Sequence, residues 1–294
     1  MAELQPGSPP LRWPAEQLWQ AVVPWLPDFS VEILPEIDSS NTELMRRARA
    51  GRTEPVLLVA EHQTAGRGRM GRQWHSPPGS SLTFSLGLPL APADWSGLSL
   101  AVGVSLAESL AQLAGADVRI KWPNDLWLGA GKLAGILIET AGAGPSRFAV
   151  IGVGINLREP AEQWQPPAGA QGALPAPMPA VAPAWLARTA PVNAQVNAQV
   201  NALVNAPIDA PQVLGAVAGS LVHDVLRFER EGWAAFAPRF ALRDVLLGRS
   251  VQLSDGRSGL ACGLSATAAL RVQTPHGIEE VHSGEVSVRP QDWV

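Results

Sequence analysis

A glycine-rich loop in the first half of the chain carries three arginines. Its glycines fit the pattern G-x-G-x-x-G and alternate with the arginines, in the order Gly66, Arg67, Gly68, Arg69, Gly71 and Arg72. Pro77 and Pro78 follow too closely for the helix that a dinucleotide fingerprint needs. Glycines let a backbone approach a ligand closely, and guanidinium groups pair with carboxylate or phosphate. The segment therefore predicts a flexible loop that binds an anion.

The lysines of the chain are confined to one segment. Of its 22 Lys and Arg residues, only Lys121 and Lys132 are lysines, and arginine cannot replace lysine where a compact ammonium must fit. Asn124 and Asp125 follow Lys121 at a proline turn that ends a strand, where α/β sites commonly form. We expect Lys132 and Asp125 to converge on one crevice, where they stabilise phosphate charge and hold Mg²⁺. A purely structural ion pair is the alternative.

A third segment, VIGVGINL at 150–157, has the pattern of a strand that ends in Gly152, Gly154 and Asn156. An asparagine side chain offers both a donor and an acceptor, as recognition of adenine or ribose requires. An ordinary strand-terminal turn explains the pattern equally well, so the segment gains meaning only beside the other two.

Composition excludes several classes of protein. The net charge of -4 does not provide the basic face of a dedicated nucleic-acid binder. Cys262 is the only cysteine, which excludes an intramolecular disulfide and a zinc cluster. Neither a signal peptide nor an apolar run long enough to span a bilayer is present, so we expect a cytoplasmic protein without a membrane partner.

Apolar periodicity predicts the elements that must position these residues. We expect a short helix within 16–26 and a second helix from Ser39 or Ser40, where Ser40 and Glu43 have the spacing of a capping box. Further helices are predicted at 98–113 and 213–230, and strands at 56–60, 82–88, 118–122, 133–139 and 149–153. After Gly248 the pattern changes to short strands with turns, which is typical of a small barrel.

The composition also suggests a division of the chain. We expect an N-terminal extension at 1–35, a catalytic domain at 36–245 and a small β-barrel at 246–294. Within the catalytic domain, residues 160–211 are rich in proline and alanine and contain a four-residue repeat, so we expect a mobile insertion there.

Together these segments resemble biotin protein ligases. The blocks that carry the resemblance are GRGRMGRQW at 66–74, KWPND at 121–125, KLAGIL at 132–137, GVGIN at 152–156 and GEVSVR at 284–289. The resemblance implies an α+β fold, with a central mixed β-sheet flanked by helices as in class II synthetases, and a small C-terminal β-barrel. The residues before Asp38 are too few for a winged helix, so the form without a repressor domain is expected.

The resemblance also implies roles for individual residues. The catalytic residues are Lys132, Arg67, Arg69 and Asp125. The biotin-binding residues are Ser39, Ser40, Asn41, Gln63, Gly66, Arg67, Gly68, Arg69 and Lys132. The nucleotide-binding residues are Arg72, Trp74, Lys121, Asn124 and Asn156. Asp125 either binds Mg²⁺ or orients the acceptor amine. Met70 and His75 replace a frequent arginine and a frequent aromatic residue, which bears on how the loop orders over the adenylate.

The implied reaction consumes ATP and biotin, with Mg²⁺, to form biotinyl-5'-AMP and pyrophosphate. Biotin then passes to the ε-amine of a lysine on a biotin carboxyl carrier domain, such as that of acetyl-CoA carboxylase. Three alternatives remain open at this point: a lipoate or octanoate ligase or transferase of the same fold, a biotin-responsive DNA-binding regulator, and a non-catalytic biotin binder. A homodimer is compatible with the sequence, which does not specify an oligomeric state.

Overall fold

A seven-stranded mixed sheet forms the centre of the molecule. The computed structural model describes residues 11–75, 77–142, 144–160, 182–186, 208–282 and 288–290. The strands of this sheet are β1 (Ser30–Ile37), β2 (Val56–Gln63), β3 (Ser81–Leu90), β4 (Val118–Lys121), β5 (Asp125–Leu128), β6 (Gly131–Ala141) and β7 (Arg147–Asn156), in the spatial order β1-β2-β3-β7-β6-β5-β4. β1 and β2 are parallel, whereas the other neighbours are antiparallel.

The two faces of this sheet differ because successive side chains of a strand point to opposite sides. On β3, Leu82, Phe84 and Leu86 are buried in the main apolar core, so Thr83 and Ser85 face the other way. The same alternation on β7 gives that second face two glycines and an asparagine, namely Gly152, Gly154 and Asn156. One face therefore builds the core, and the other offers small and polar residues to a site.

Two long helices cover the apolar face. They are α3 (Leu98–Ala114) and α4 (Ala210–Glu231), whose buried leucines, valines and alanines join the core of the sheet. Each leucine or valine buried in this layer contributes about 1.5–3 kcal/mol. Gly115 ends α3 in the left-handed conformation, as the sequence predicts. α4 begins earlier than predicted because Asp209 and Gln212 form a capping box that periodicity does not reveal.

A shorter helix, α2 (Ser40–Arg49), lies on the second face of the sheet. Its Leu44 and Met45 pack against Phe148 and Val150 in a smaller apolar cluster. This cluster fixes the N-terminus of α2 at the edge of the polar region of the face.

The cap of α2 corrects one prediction. Ser39 has the extended backbone of an N-cap, and its hydroxyl accepts a hydrogen bond from the Thr42 N–H at 3.4 Å. The capping box predicted for Ser40 and Glu43 is therefore wrong by one residue. Ser40 is the first helical residue, so its hydroxyl is left to bond side chains of the site.

The first described residues contribute a helix and a strand to the large sheet. α1 (Ala15–Val22) buries Leu18 and Val22 in the main core, which confirms the short helix predicted there. β1 pairs with β2 over its whole length, although its sequence shows no clear periodicity. The domain boundary expected before residue 36 thus falls inside a strand of the large sheet.

The last part of the chain forms a separate antiparallel sheet. After the short helix α5 (Ala237–Ala241) come β8 (Ser250–Leu253), β9 (Ser258–Leu264), β10 (Leu270–Thr274), β11 (Gly277–Val281) and β12 (Val288–Pro290), in the order β11-β10-β9-β8-β12. The small β-barrel predicted for this part of the chain is therefore observed as a small five-stranded antiparallel sheet. The indole N–H of Trp122 donates to the carbonyl of Ala268 at 3.1 Å, which ties this sheet to the large one.

Helices on both faces of a mixed sheet confirm the predicted α+β architecture. Of the insertion expected to be mobile, residues 161–181 and 187–207 lie outside the described residues. Within the described ranges, none of the helices combines the length and the hydropathy that crossing a bilayer demands.

Asp244 is a buried carboxyl in the segment that joins the two sheets. Residues 243–245 run along β4, where Ile120 donates to the Arg243 carbonyl at 2.8 Å and Val245 donates to the Ile120 carbonyl at 3.0 Å. Burial raises the pKa of Asp244 from 3.8 to about 6, although hydrogen bonds from the N–H groups of Leu246 and Leu247 oppose the shift. The folded protein therefore holds the Asp244 proton more tightly than the unfolded chain does.

We predict that this carboxyl makes the protein less stable as the pH rises through the pKa of Asp244. A pKa raised by about two units corresponds to roughly 3 kcal/mol, present below the unfolded pKa and lost above about pH 6. Urea unfolding of the wild type and of Asp244→Asn between about pH 4.5 and 7.5 tests this linkage. The amide side chain of the variant cannot ionise, so the variant should lose the slope; identical pH profiles would contradict the assignment.

Candidate active site

The strand register brings one row of residues together on the polar face of the large sheet. Lys121 pairs with Asp125, Asp125 pairs with Gly135, and Gly135 pairs with Gly154. Because paired residues of neighbouring strands point to the same side, the row places a lysine and a carboxylate next to a glycine strip. The pairing of these strands thus brings the KWPND motif and the GVGIN motif onto one surface of the sheet.

The glycine-arginine loop folds back on itself as a narrow hairpin. Gly68 donates to the Arg72 carbonyl at 2.7 Å, and Trp74 donates to the Gly66 carbonyl at 2.9 Å. At the tip, residues 69–71 form a single 3-10 turn in which Met70 has φ of 55° and Gly71 has φ of 71°. No α-helix follows within the described part of the loop, which agrees with the exclusion of a dinucleotide fingerprint.

Trp74 lies flat over the glycine strip. A Cβ at Gly154 would come within 2.5 Å of Trp74 Cε2, and a Cβ at Gly135 within 3.3 Å of Trp74 Cζ3. The indole therefore occupies space that any larger residue on these strands would fill. Its Nε1 is buried against the sheet and has no hydrogen-bond partner among the described residues.

Lys132 is fixed at both its backbone and its side chain. Its N–H donates to the Ala182 carbonyl at 2.9 Å, and its carbonyl accepts from Ala184 N at 2.8 Å and from Asn156 Nδ2 at 3.1 Å. The ammonium lies 2.7 Å from Asp125 Oδ1 and 5.9 Å from the centre of the Trp74 ring. The predicted convergence of Lys132 and Asp125 is therefore what the structure shows.

Arg67 meets a carboxylate that the sequence analysis did not identify. Its guanidinium lies 3.2 Å from Glu139 Oε1, and Asn41 Nδ2 donates to Glu139 Oε2 at 3.0 Å. Glu139 shares a face of β6 with Gly135 because the two are four residues apart on one strand. A carboxylate after the apolar run Ile136–Ile138 of β6 was the signal available in the sequence.

A chain of small polar side chains joins α2 to the sheet. The backbone N–H and the hydroxyl of Ser40 donate to Gln63 Oε1 at 2.8 and 3.1 Å. The Ser85 hydroxyl lies 2.7 Å from Ser40 Oγ and 2.6 Å from Asn41 Oδ1. Ser39, Ser40, Asn41 and Gln63 are thus brought together as predicted, and Ser85 was missed because its strand reads as simply apolar. Gly152 leaves the space that Asn41 fills.

Arg69 is held at the KWPND turn. Its Nη1 donates to Asn124 Oδ1 at 2.9 Å, while Asn124 Nδ2 donates to the Ile136 carbonyl at 2.8 Å. Burial lowers the pKa of Arg69, and the neighbouring charge of Asp125 partly opposes that shift. Since a guanidinium stays protonated in proteins, Arg69 brings a partly desolvated positive charge beside Asp125.

The remaining nucleotide-binding candidates occupy different settings. Lys121 is 7% exposed, and its ammonium lies 5.6 Å from the centre of the Trp127 ring. Asn156 is buried beside the Lys132 backbone, whereas Arg72 is exposed on the returning strand of the loop. Lys121 and Asn156 therefore form part of the buried base of the site, whereas Arg72 lies on the exposed loop above it.

Asp125 is the residue of this site that the sequence analysis expects to hold Mg²⁺. In the described parts of the chain, no three His, Cys, Asp or Glu side chains come together as metal ligands. Asp125, the residue predicted to hold Mg²⁺, accepts from the Lys132 ammonium instead. Because Mg²⁺ is usually held by one or two carboxylates together with substrate phosphates and water, the role of Asp125 as a metal ligand stays a prediction.

Comparisons with known proteins show what this chain is similar to. Residues 34–156 match the model of the biotin/lipoate A/B protein ligase family. The bifunctional ligase/repressor BirA of Escherichia coli (strain K12) is 47% identical over 131 residues, 44% of this chain and 40% of that protein. The biotin–acetyl-CoA-carboxylase ligase of Mycobacterium tuberculosis is 39% identical over 145 residues, 47% of this chain and 53% of that protein. The chain spans about half the length of these curated relatives.

A solved structure shares the whole architecture. The biotin protein ligase of Aquifex aeolicus, solved in complex with biotin and ATP, superposes with a TM-score of 0.66 at 26% identity and covers 89% of this chain and 99% of that chain. The fold is therefore that of biotin protein ligases. Residues 34–156, less than half of the chain, are similar to the biotin/lipoate A/B protein ligase family.

We predict that Gly154→Ala destabilises the protein through Trp74. The new Cβ would lie 2.5 Å from the indole, so we expect the free energy of unfolding to fall by about 1–3 kcal/mol, the usual cost of overpacking. Urea unfolding measures the change. In a Trp74→Ala background the added methyl meets no indole, and its cost should nearly vanish. Equal costs in both backgrounds would show that the contact is unimportant.

Proposed function

We propose that this chain is an ATP-dependent biotin protein ligase. It activates biotin as biotinyl-5'-AMP with release of pyrophosphate, and it then transfers biotin to a lysine of a carrier domain. The observation that carries the proposal is that two cations, each paired with a carboxylate, lie on the same face of the sheet as Gly135 and Gly154. Lys132 and Arg67 are each held by a carboxylate, and Trp74 packs the glycine-arginine loop against Gly135 and Gly154. The named relatives and the ligand-bound structural neighbour support the choice of biotin and ATP.

The first step needs positive charge because two anions must meet. An oxygen of the biotin carboxylate attacks the α-phosphorus of ATP, the bond from that phosphorus to the bridging oxygen breaks, and pyrophosphate leaves. One such charge pair repels by about 4 kcal/mol at 4 Å and an effective dielectric of 20. Lys132, Arg67 and Arg69 lie on one face and can offset this repulsion. The partly buried position of Arg69 strengthens its effect.

Each cation can exchange its present partner for the substrate. The side chains of Lys132 and Asp125 are 30% and 18% exposed, and those of Arg67 and Glu139 are 49% and 22% exposed. Ion pairs with this much solvent contact are worth only about 0–1 kcal/mol. A substrate carboxylate or phosphate can therefore take over the ammonium or guanidinium at little cost.

The second step needs an uncharged amine. The nitrogen of the acceptor lysine attacks the acyl carbon, the bond to the phosphate oxygen breaks, AMP leaves, and the amine gives up a proton. Asp125 lies beside Lys132 and can orient the incoming amine. This role fits its environment better than metal binding, and Mg²⁺ enters the proposal only with the ATP that it accompanies as substrate.

The polar groups of the face divide into two regions. Ser39, Ser40, Asn41 and Gln63 surround the N-terminus of α2, where hydroxyl and amide groups suit the ureido end of biotin. We assign Arg72, Trp74, Lys121, Asn124 and Asn156 to the nucleotide. Gly66 and Gly68 let the loop backbone approach the intermediate, which must be shielded from water.

We propose a biotin carboxyl carrier domain as the protein partner and the cytoplasm as the compartment. Assembly as a homodimer belongs to the same proposal. The family that matches residues 34–156 also includes ligases of lipoate, so the identity of the acid has to be tested directly.

We predict that Lys132→Arg lowers adenylate formation by about two orders of magnitude or more, because a planar guanidinium cannot take the position of the ammonium between Asp125 and Trp74. Single-turnover formation of biotinyl-AMP from biotin and ATP is the measurement. Arg119→Lys changes the same two residue types in reverse at an exposed position of β4 and should leave the rate unchanged. A normal burst from a folded Lys132→Arg protein would remove Lys132 from the mechanism.

The choice of acid gives a separate prediction. The protein is incubated with ATP, a purified biotin carrier domain and either biotin, lipoate or octanoate, and the carrier is weighed by mass spectrometry. We expect one added biotinyl group per carrier and no mass change with the other two acids. Carrier modification by lipoate or octanoate alone would replace biotin in the proposal. Adenylate formation without transfer would limit the chain to the first half-reaction.

A further inference from the structure

Glu139 is a carboxylate in a site that the proposed reaction fills with anions. It lies on β6, four residues after Gly135, so both residues belong to the polar face of the sheet. Its side chain is 22% exposed. A negative charge at this position repels the carboxylate of biotin and the phosphates of ATP, because like charges repel each other. The residue therefore needs a role that outweighs this repulsion.

Glu139 binds one nitrogen of the Arg67 guanidinium. Arg67 Nη1 lies 3.2 Å from Glu139 Oε1 and 3.4 Å from Glu139 Oε2. Within the residues that the structure describes, Nε and Nη2 of Arg67 make no hydrogen bond. Because a guanidinium carries donors on three nitrogens, Arg67 can keep this contact while it offers two further nitrogens to a ligand.

The Glu139 carboxylate is itself fixed from the buried side of the site. Asn41 is 4% exposed, and its Nδ2 donates to Glu139 Oε2 at 3.0 Å and to the Leu137 carbonyl at 3.2 Å. A carboxylate and a carbonyl only accept hydrogen bonds. These two partners therefore determine that the amide nitrogen of Asn41 faces β6 and that the amide oxygen points away from it.

Ser85 supplies the hydrogen bond that this amide oxygen needs. Its hydroxyl donates to Asn41 Oδ1 at 2.6 Å, and the residue is completely buried. Asn41 Oδ1 also packs against Gly152, the partner of Ser85 in the pairing of β3 with β7. A buried amide oxygen that lost its donor would be costly, so Ser85 holds the Asn41 amide in its orientation.

We propose that Glu139 is a positioning residue for Arg67, and that Ser85 and Asn41 are its buried anchor. The Arg67 side chain is 49% exposed and lies on a loop. An unrestrained arginine loses rotamer freedom when it binds an anion. Glu139 restricts that freedom before the ligand arrives, and this gain outweighs the repulsion by its charge. The inference rests on the biotin-ligase function proposed above.

The test is Glu139→Gln, which keeps the shape of the side chain and removes its charge. If the carboxylate acted through its charge alone, this change would strengthen the binding of biotin, which is an anion. If Glu139 positions Arg67, the affinity for biotin should instead fall by about fivefold to tenfold, the latter equal to about 1.4 kcal/mol. Calorimetric titration of the full chain with biotin, in the absence of ATP, measures the sign and the size of the change.

An Arg67→Ala background separates positioning from a merely structural role. Glu139→Gln should not weaken biotin binding there, because the side chain to be positioned is gone. Ser85→Ala should weaken binding several-fold in the wild-type background and should likewise have no effect in the Arg67→Ala background. A merely structural role of Glu139 or Ser85 would weaken binding in both backgrounds.

Two matched controls lie outside the site. Glu231→Gln breaks a partly exposed ion pair with Arg227, 2.9 Å apart on α4. Ser105→Ala removes a buried hydroxyl of α3 that has no hydrogen-bond partner among the described residues. Neither control should change the affinity for biotin. Urea unfolding checks that each variant is folded.

The outcomes distinguish this inference from the ligase proposal. A Glu139→Gln protein that binds biotin as tightly as the wild type, or more tightly, overturns the inference, and so does a loss that persists without Arg67. The ligase function survives either result if the wild type forms biotinyl-AMP. A wild type that binds biotin but forms no adenylate overturns the ligase function, and the binding comparison still decides the role of Glu139. A wild type that does not bind biotin overturns both.

Discussion

The close approach of the Trp74 indole to Gly135 and Gly154 determines the shape of the site. These glycines are direct partners across two antiparallel strands, so together they leave a gap one side chain wide in the face of the sheet. Trp74 fills that gap and anchors the returning end of the glycine-arginine loop. The opposite side chains of the same strands are buried in the main core. The side chains of β6 and β7 thus pack into the core on one face of the sheet, and their glycines leave room for the site on the other face.

The charges around this strip are arranged as exchangeable pairs. Asp125 keeps the Lys132 ammonium in place, and Glu139 keeps the Arg67 guanidinium in place. Both pairs retain contact with solvent, so neither is strong enough to compete with a well-placed anion. Asn41 bonds Glu139 as well, which links the cationic end of the face to the hydroxyl cluster at α2. The two carboxylates therefore hold the cations in position.

The sequence predicted the parts of the molecule that depend on residue type and on spacing within one segment. The scarcity of lysine and the KWPND turn located Lys132 and Asp125, and periodicity located α3 and most strands of the large sheet. The contacts of Glu139 and Ser85 could not be predicted, because they depend on the register between strands distant in sequence. β1 was missed because an edge strand with mixed burial lacks a clean alternation. The cap of α2 was displaced by one residue because Ser39 and Ser40 are equally good capping residues.

The backbone of Lys132 is bracketed by Ala182 and Ala184, about fifty residues further along the chain, in a two-residue bridge beside the start of β6. Leu186, completely buried in the main core, secures this short stretch. The position of Lys132 therefore depends on residues 182–186, which lie within the proline- and alanine-rich stretch that composition alone predicts to be mobile. Residues 182–186 thus help to hold Lys132 in position from a distant part of the sequence.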